Sequence, residues 1–112
     1  MKAKELAAAL GLETVQDAGE DKEIRTGYTS DLLSDVMANA EEHCVLITMQ
    51  AHVNTIAVTA LTGISAIILC NSRPVPDDMV DAAAKEKIAL YRSKENQFTV
   101  SHRVYQCLNR KA

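Results

Sequence analysis

The spacing of apolar residues along this chain switches repeatedly between helical and strand-like. Leu6, Ala7 and Leu10 share one face of a short helix, and Gly11 is placed to stop it. Leu12–Gln16 reads as a short strand, Asp17–Lys22 as a charged turn and Glu23–Thr26 as a second strand. From Asp31 the period becomes helical, with Leu32, Leu33, Val36, Met37 and Ala40 on one stripe, and Ser30 or Asp31 placed to cap its first amides. Val45–Thr48 is a β-rich run. Val53, Ile56, Ala57, Ala60 and Leu61 then give the most regular helical face, stopped by Gly63, with Val58 on its exposed side. Ala66–Leu69 with Cys70 is another apolar run. Pro76 with Asp77 and Asp78 marks a helix start, because proline has no donor to leave unpaired and acids favour the positive helix end. Met79, Val80, Ala83 and Ala84 supply that helix's buried face. Ile88–Tyr91 follows as a strand, and Asn96 is placed to cap a last helix carrying Phe98, Val104, Tyr105 and Leu108, with Tyr105, like Val58, an exposed apolar candidate for a dimer surface.

Apolar runs without polar alternation suit a parallel sheet covered on both faces. Strands alternating with helices of this length imply right-handed βαβ units. The expected architecture is therefore α/β: a single domain over residues 1–112, with a mostly parallel central sheet flanked by helices. No internal repeat, low-complexity tract or linker interrupts it. In such folds the turns after the strands gather at one edge of the sheet, where ligands bind at topological switch points. Gly27–Asp31, Met49–His52 and Asn71–Pro74 are the turns concerned.

Composition narrows the function classes. Hydrophobic residues make up 47% and charged residues 24%, as in ordinary globular domains. A formal net charge of −3, with no Trp, one Phe and three Tyr, argues against nucleic acid, which calls for a basic patch or stacking aromatics. No apolar run approaches bilayer length, so no membrane partner is expected. The start, Met1–Leu12, is better read as an amphipathic helix than as a signal sequence, since Glu5 and Glu13 flank a minimal apolar stretch. Cys44, Cys70 and Cys107 are odd in number and far apart, which fits reduced thiols in the cytoplasm better than disulfides or a zinc site.

The three turns carry the candidate chemistry. Helix N-termini offer unpaired amides and partial positive charge, suited to a phosphate or carboxylate. Thr29, Ser30, Gln50, Asn54, Asn71 and Ser72 could add hydrogen bonds, with Arg73 as the strong anion partner. The same residues are also ordinary caps and turn formers. His52 could orient an anion or move a proton, but no partner in the sequence positions it as a base. His43 reads as solvated and His102 as a surface residue of the last helix. Cys70, near Arg73, reads as a small packing residue in preference to a nucleophile, and Cys44 and Cys107 likewise. Asp31 and Asp35, one helical turn apart, could hold magnesium, although a capping acid beside a solvated one explains them as well. Neither GxGxxG nor GxxxxGK[ST] occurs. No catalytic residue, metal or cofactor is expected.

The run Gly27-Tyr28-Thr29-Ser30-Asp31-Leu32-Leu33-Ser34-Asp35-Val36-Met37-Ala38-Asn39-Ala40 resembles the opening motif of small stand-alone DRTGG-domain proteins. The register that follows, Val45–Gln50, a helix with Asn54 near its start, then Ala66–Asn71 and a proline, is similar to the same family. The resemblance spans nearly the whole chain. It implies a fold like the N-terminal domain of HPr kinase, generally in a homodimer, used as a regulatory module. Relatives carry an Asp-Arg-Thr-Gly-Gly signature after a buried strand; here the region reads Met49-Gln50-Ala51-His52-Val53-Asn54. Where relatives often have Thr-Gly-Gly after the next strand, this chain has Cys70-Asn71-Ser72. The expected function is a non-catalytic regulatory or protein-interaction module, homodimeric, with a regulatory protein partner. The alternative is a sensor of a nucleotide or other anionic small molecule bound by Thr29, Ser30, Asp31, Gln50, His52, Asn54, Asn71, Ser72 and Arg73. A small enzyme is the least favoured reading.

Overall fold

A computed structural model describes residues 1–110. The elements are α1 (Ala3–Leu10), β1 (Glu13–Gln16), β2 (Thr26–Thr29), α2 (Leu33–Asn39), β3 (Cys44–Thr48), α3 (Val53–Thr62), β4 (Ala66–Leu69), α4 (Asp77–Glu86), β5 (Ala89–Arg92) and α5 (Gln97–Leu108). The strands form one five-stranded sheet in the order β1-β5-β4-β3-β2. From β2 to β5 all neighbours are parallel, while β1 lies antiparallel on β5 with an irregular register between Thr14 and Gln16.

The apolar runs explain why this sheet is central. Every residue of β3 and β4 is buried, so alternate side chains feed two separate cores. Val45, Ile47, Ala66, Ile68 and Tyr91 meet α1 and α5 through Leu6, Leu10, Val100 and Val104. Leu46, Ile67, Leu69 and Leu90 meet α2, α3 and α4 through Val36, Ile56 and Met79. Each such fully buried aliphatic side chain contributes about 1.5–3 kcal/mol. The order from β2 to β5 runs in one direction, and right-handed crossovers then place all three connecting helices on the same face. The opposite face is covered by the first and last helices of the chain.

Four local features depart from the sequence pattern. The second strand is Thr26–Thr29, not Glu23–Thr26; Glu23 makes only an isolated bridge with Lys2. Gly27 therefore lies in a strand, where a Cβ would approach Val104 Cγ1 to 3.4 Å, and not in a turn. The buried face of α3 is Thr55, Ile56, Val58 and Thr59, leaving Ala57, Ala60 and Leu61 exposed. Threonine can face the core here because Thr55 Oγ1 donates to Gln50 O and Thr59 Oγ1 to Thr55 O, both at 2.8 Å. On α4, Met79 and Ala83 are buried but Ala84 is exposed, and on α5 Phe98 points outward while Val100, Val104 and Cys107 pack inward, with Tyr105 exposed as expected. Finally, the monotonic strand order contains no reversal among the parallel strands, so the expected switch-point crevice does not form.

Candidate functional site

The carboxyl ends of β2, β3, β4 and β5 open on one edge, and the turns that follow them form a polar rim. Asp31 is its hub. Its Oδ1 accepts from Thr48 Oγ1 at 3.0 Å, from the Met49 amide at 2.8 Å and from Gln97 Nε2 at 3.0 Å. Its carbonyl accepts from Gln50 Nε2 at 2.8 Å, and Thr48 Oγ1 in turn accepts from the Gln50 amide. One carboxylate thus ties the β2 and β3 turns to the start of α5. It does not cap α2: the N-cap is Leu32, with no side-chain cap bond, while Ser30 Oγ accepts from the Leu32 amide at 3.2 Å. Thr29 Oγ1 lies 2.6 Å from Ser101 Oγ on α5.

Thr29, Ser30, Asp31 and Gln50 therefore come together around one network, and Asn71 joins its border through Nδ2 to Met49 Sδ at 3.3 Å. His52 and Asn54 stand apart at the exposed start of α3, where His52 Nδ1 accepts from the Asn54 amide at 3.0 Å. His52 acts as the helix cap, a role its position in the sequence already allowed. Asn71 and Ser72 both adopt the left-handed region, with φ of 59° and 51°, and the turn closes with Arg73 N–H on Cys70 O at 3.3 Å. Glycine enters that region freely, whereas both positions carry side chains here. The turn is held against the one after β5 by Asn71 N–H on Glu95 O and Ser72 N–H on Ser93 O. Arg73 is exposed, and its carbonyl accepts from Arg92 Nη1 at 3.2 Å.

Ser72 also lines a cavity of about 530 Å³ between the C-terminal end of α1 and α5, whose charged groups are Glu13, Arg92, Lys94, Glu95 and Arg103. Arg92 grips Glu13 with Nε on Oε1 at 3.1 Å and Nη2 on Oε2 at 2.8 Å, and Arg103 pairs with Glu95. Three cations against two carboxylates leave this cavity with an excess of positive charge. Arg92, Lys94 and Arg103 do not figure among the sequence candidates, which end at Arg73. The signal for Arg92 was available: it terminates a parallel strand at the same edge as the other turns.

Two acids expected to share a face are in fact divided. Asp31 serves the rim, while Asp35 accepts from Tyr28 Oη at 2.8 Å and from Asn39 Nδ2 at 2.9 Å. Those bonds hold Asp35 below the usual carboxylate range and raise Tyr28. Among the described residues no group of three His, Cys, Asp or Glu side chains is placed to hold a metal ion. Cys44 and Cys70 are buried free thiols, pushed up to about 11 chiefly by desolvation, which suits packing and not nucleophilic attack.

No protein-family model matches the chain, and no curated protein matches it. A solved structure does: the CBS and DRTGG domains of the regulatory region of Clostridium perfringens pyrophosphatase, complexed with its activator diadenosine tetraphosphate. The match has a TM-score of 0.73 at 14% identity, covering 93% of this chain and 46% of that one. The chain thus spans about half the length of that regulatory region. At this identity the likeness is one of fold: a single α/β unit with a mostly parallel five-stranded sheet, built like the CBS and DRTGG domain region of that protein.

Proposed function

We propose that this chain is a non-catalytic regulatory module of the DRTGG type, a single domain that acts by binding and assembles as a homodimer. The observation that carries the reading is how the polar rim spends its hydrogen bonds. Asp31, Thr48, Gln50 and Gln97 are committed to one another, so the residues that would have to work on a substrate instead brace the turns. The large apolar side chains of Leu32, Met37, Leu61, Phe98 and Tyr105 are exposed, as on a docking surface. The similarity in fold to a regulatory region supports the same class. Three buried free thiols fit a reducing cytoplasm, and no described helix is long and apolar enough to cross a membrane. The test is light scattering of the purified chain across a concentration series. A dimer at micromolar concentration is expected; a strict monomer at hundreds of micromolar would remove the homodimer from the reading.

A second reading, an anionic small-molecule sensor, is favoured by the cavity lined by Ser72, Arg92, Lys94 and Arg103. Guanidinium forks recognise phosphate well, and the neighbouring fold belongs to a protein whose activator is a dinucleoside polyphosphate. Ligand bound only to the folded state raises the melting temperature by mass action. A thermal-shift series with diadenosine tetraphosphate, mononucleotides and inorganic pyrophosphate should show a rise that Arg103→Ala or Arg73→Ala weakens. No rise with any of them would count against sensing at this edge.

A further inference from the structure

The two edges of the sheet are treated differently. At the β1 edge the register is irregular and Glu13 forms a forked ion pair with Arg92, devices that discourage pairing with another strand. The β2 edge has no such guard. Ser30 N–H binds Ile47 O across to β3. The alternation of a parallel pair then turns Thr26 and Tyr28 inward, leaving the N–H and C=O groups of Gly27 and Thr29 directed away from the sheet.

The apolar surface follows the same asymmetry. The large exposed hydrophobic residues among those described are Leu32 (64% exposed), Met37 (51%), Leu61 (77%), Phe98 (84%) and Tyr105 (70%). Tyr105 shares a groove of about 310 Å³ with Arg25, Gly27 and Thr29, and Phe98 shares the adjoining one with Thr29. Met37 and Leu61 border a depression with Arg25 on the other layer, and Leu32 follows directly after the strand. All five flank the end of the sheet that β2 forms, on both sides of the open strand.

We propose that β2 pairs antiparallel with the β2 strand of a second copy about a two-fold axis at Tyr28, joining the two sheets into one. The proposal rests on the homodimer reading above and specifies its interface. Charge selects both the occupant and the register. Arg25 and Asp31 sit at opposite ends of the strand, and among the described residues Arg25 has no ion-pair partner. With the axis at Tyr28, Gly27 of each copy faces Thr29 of the other, so the outward groups exchange hydrogen bonds. The same register sets each Arg25 opposite the other copy's Asp31, whose rim bonds all fall on Oδ1 and leave Oδ2 without a partner among the described residues. An axis at Gly27 or Thr29 loses that charge match. A two-fold contact of this kind is self-complementary, so closure into a dimer leaves no β2 edge open.

Sedimentation and light scattering of the full chain, with three variants, test this. Thr29→Pro deletes an outward N–H that the bond pattern with β3 does not use. Arg25→Glu replaces attraction by repulsion with the facing Asp31. Each should weaken dimerisation at least tenfold while the circular dichroism spectrum stays that of the parent. Tyr28→Cys should form a disulfide-linked dimer on mild oxidation, because facing Cα atoms in that register lie about 4.5 Å apart; the parent, with its three cysteines buried, should not. A parent dimer that survives both Thr29→Pro and Arg25→Glu, with Tyr28→Cys uncrosslinked, overturns the β2 interface and leaves the homodimer standing. A parent that is monomeric throughout overturns both. If Thr29→Pro does not fold, Arg25→Glu and the crosslink decide alone.

Discussion

Asp31→Ala is the most direct probe of what the polar rim is for. The substitution removes one acceptor serving three donors: the Thr48 hydroxyl, the Met49 amide and the Gln97 side-chain amide. Hydrogen bonds to a charged group contribute about 1.5–3 kcal/mol each when water cannot replace them. Met49 and Gln97 bond at the exposed rim and recover much of theirs from water. Thr48 is fully buried, and its hydroxyl loses its acceptor. The net loss works out at about 2 kcal/mol, near one full buried bond plus a fraction of each exposed one. For a domain of this size that lowers the melting temperature by roughly 8 °C. Asp31→Asn, which keeps an acceptor but not the charge, should fall between. Calorimetry and urea unfolding at neutral pH measure both. If Asp31→Ala unfolds within about 0.5 kcal/mol of the parent, the range of an ordinary surface substitution, the carboxylate is not a brace. The rim would then have to be reconsidered as a place kept for a ligand.

Ser72→Gly should stabilise the chain by about 0.5–1 kcal/mol, since relief of the left-handed conformation outweighs the added freedom of the unfolded chain; a melting temperature unchanged or lowered contradicts this. Native protein at pH 8 should leave Cys44 and Cys70 unlabelled by a thiol reagent, with both reacting once urea unfolds the chain, because burial raises both thiols. Asp35 is held low by the Tyr28 hydroxyl bond and Glu23 by the N-terminal amine. A depressed folded-state pKa stabilises above the unfolded value near 4 and is lost as pH falls through the folded one, so acid unfolding should set in below about pH 4. Tyr28→Phe should move that acid limb upward, read by circular dichroism against pH.

The elements best read from sequence are those whose pattern and packing agree. Ala66–Leu69 forms β4 as expected, and Gly11 and Gly63 stop α1 and α3 in left-handed conformations. Asn96 caps α5 with its side chain on the Thr99 amide. The misread face of α3 has a physical cause: an apolar-only count cannot anticipate that Thr55 and Thr59 satisfy their hydroxyls on backbone carbonyls and turn inward. Gly27 reads as a turn residue because glycine usually punctuates, whereas it lies within β2, where a Cβ would stand in ordinary contact with Val104. At the rim, the logic of strand ends alone brings Thr29, Ser30, Asp31 and Gln50 together. Gln97 and Arg103 escape that logic, because their proximity depends on α5 crossing to the second face, a long-range fact with no local sequence signal, whereas Arg92 ends a parallel strand at the same edge and is within its reach.

That crossing has a consequence for how the chain can be made. One layer of the domain is contributed by the first and last of the described helices, α1 and α5, with Met1 Sδ lying 3.6 Å from Cys107 Sγ. Until α5 has been made, the side of β2 and β3 that it packs against stays open to water. Closure of this layer then waits for the last helix of the domain instead of proceeding segment by segment. A chain cut short before residue 97 should collect with chaperones and proteases, and a domain fused within a longer protein would have its entry and exit points on the same side.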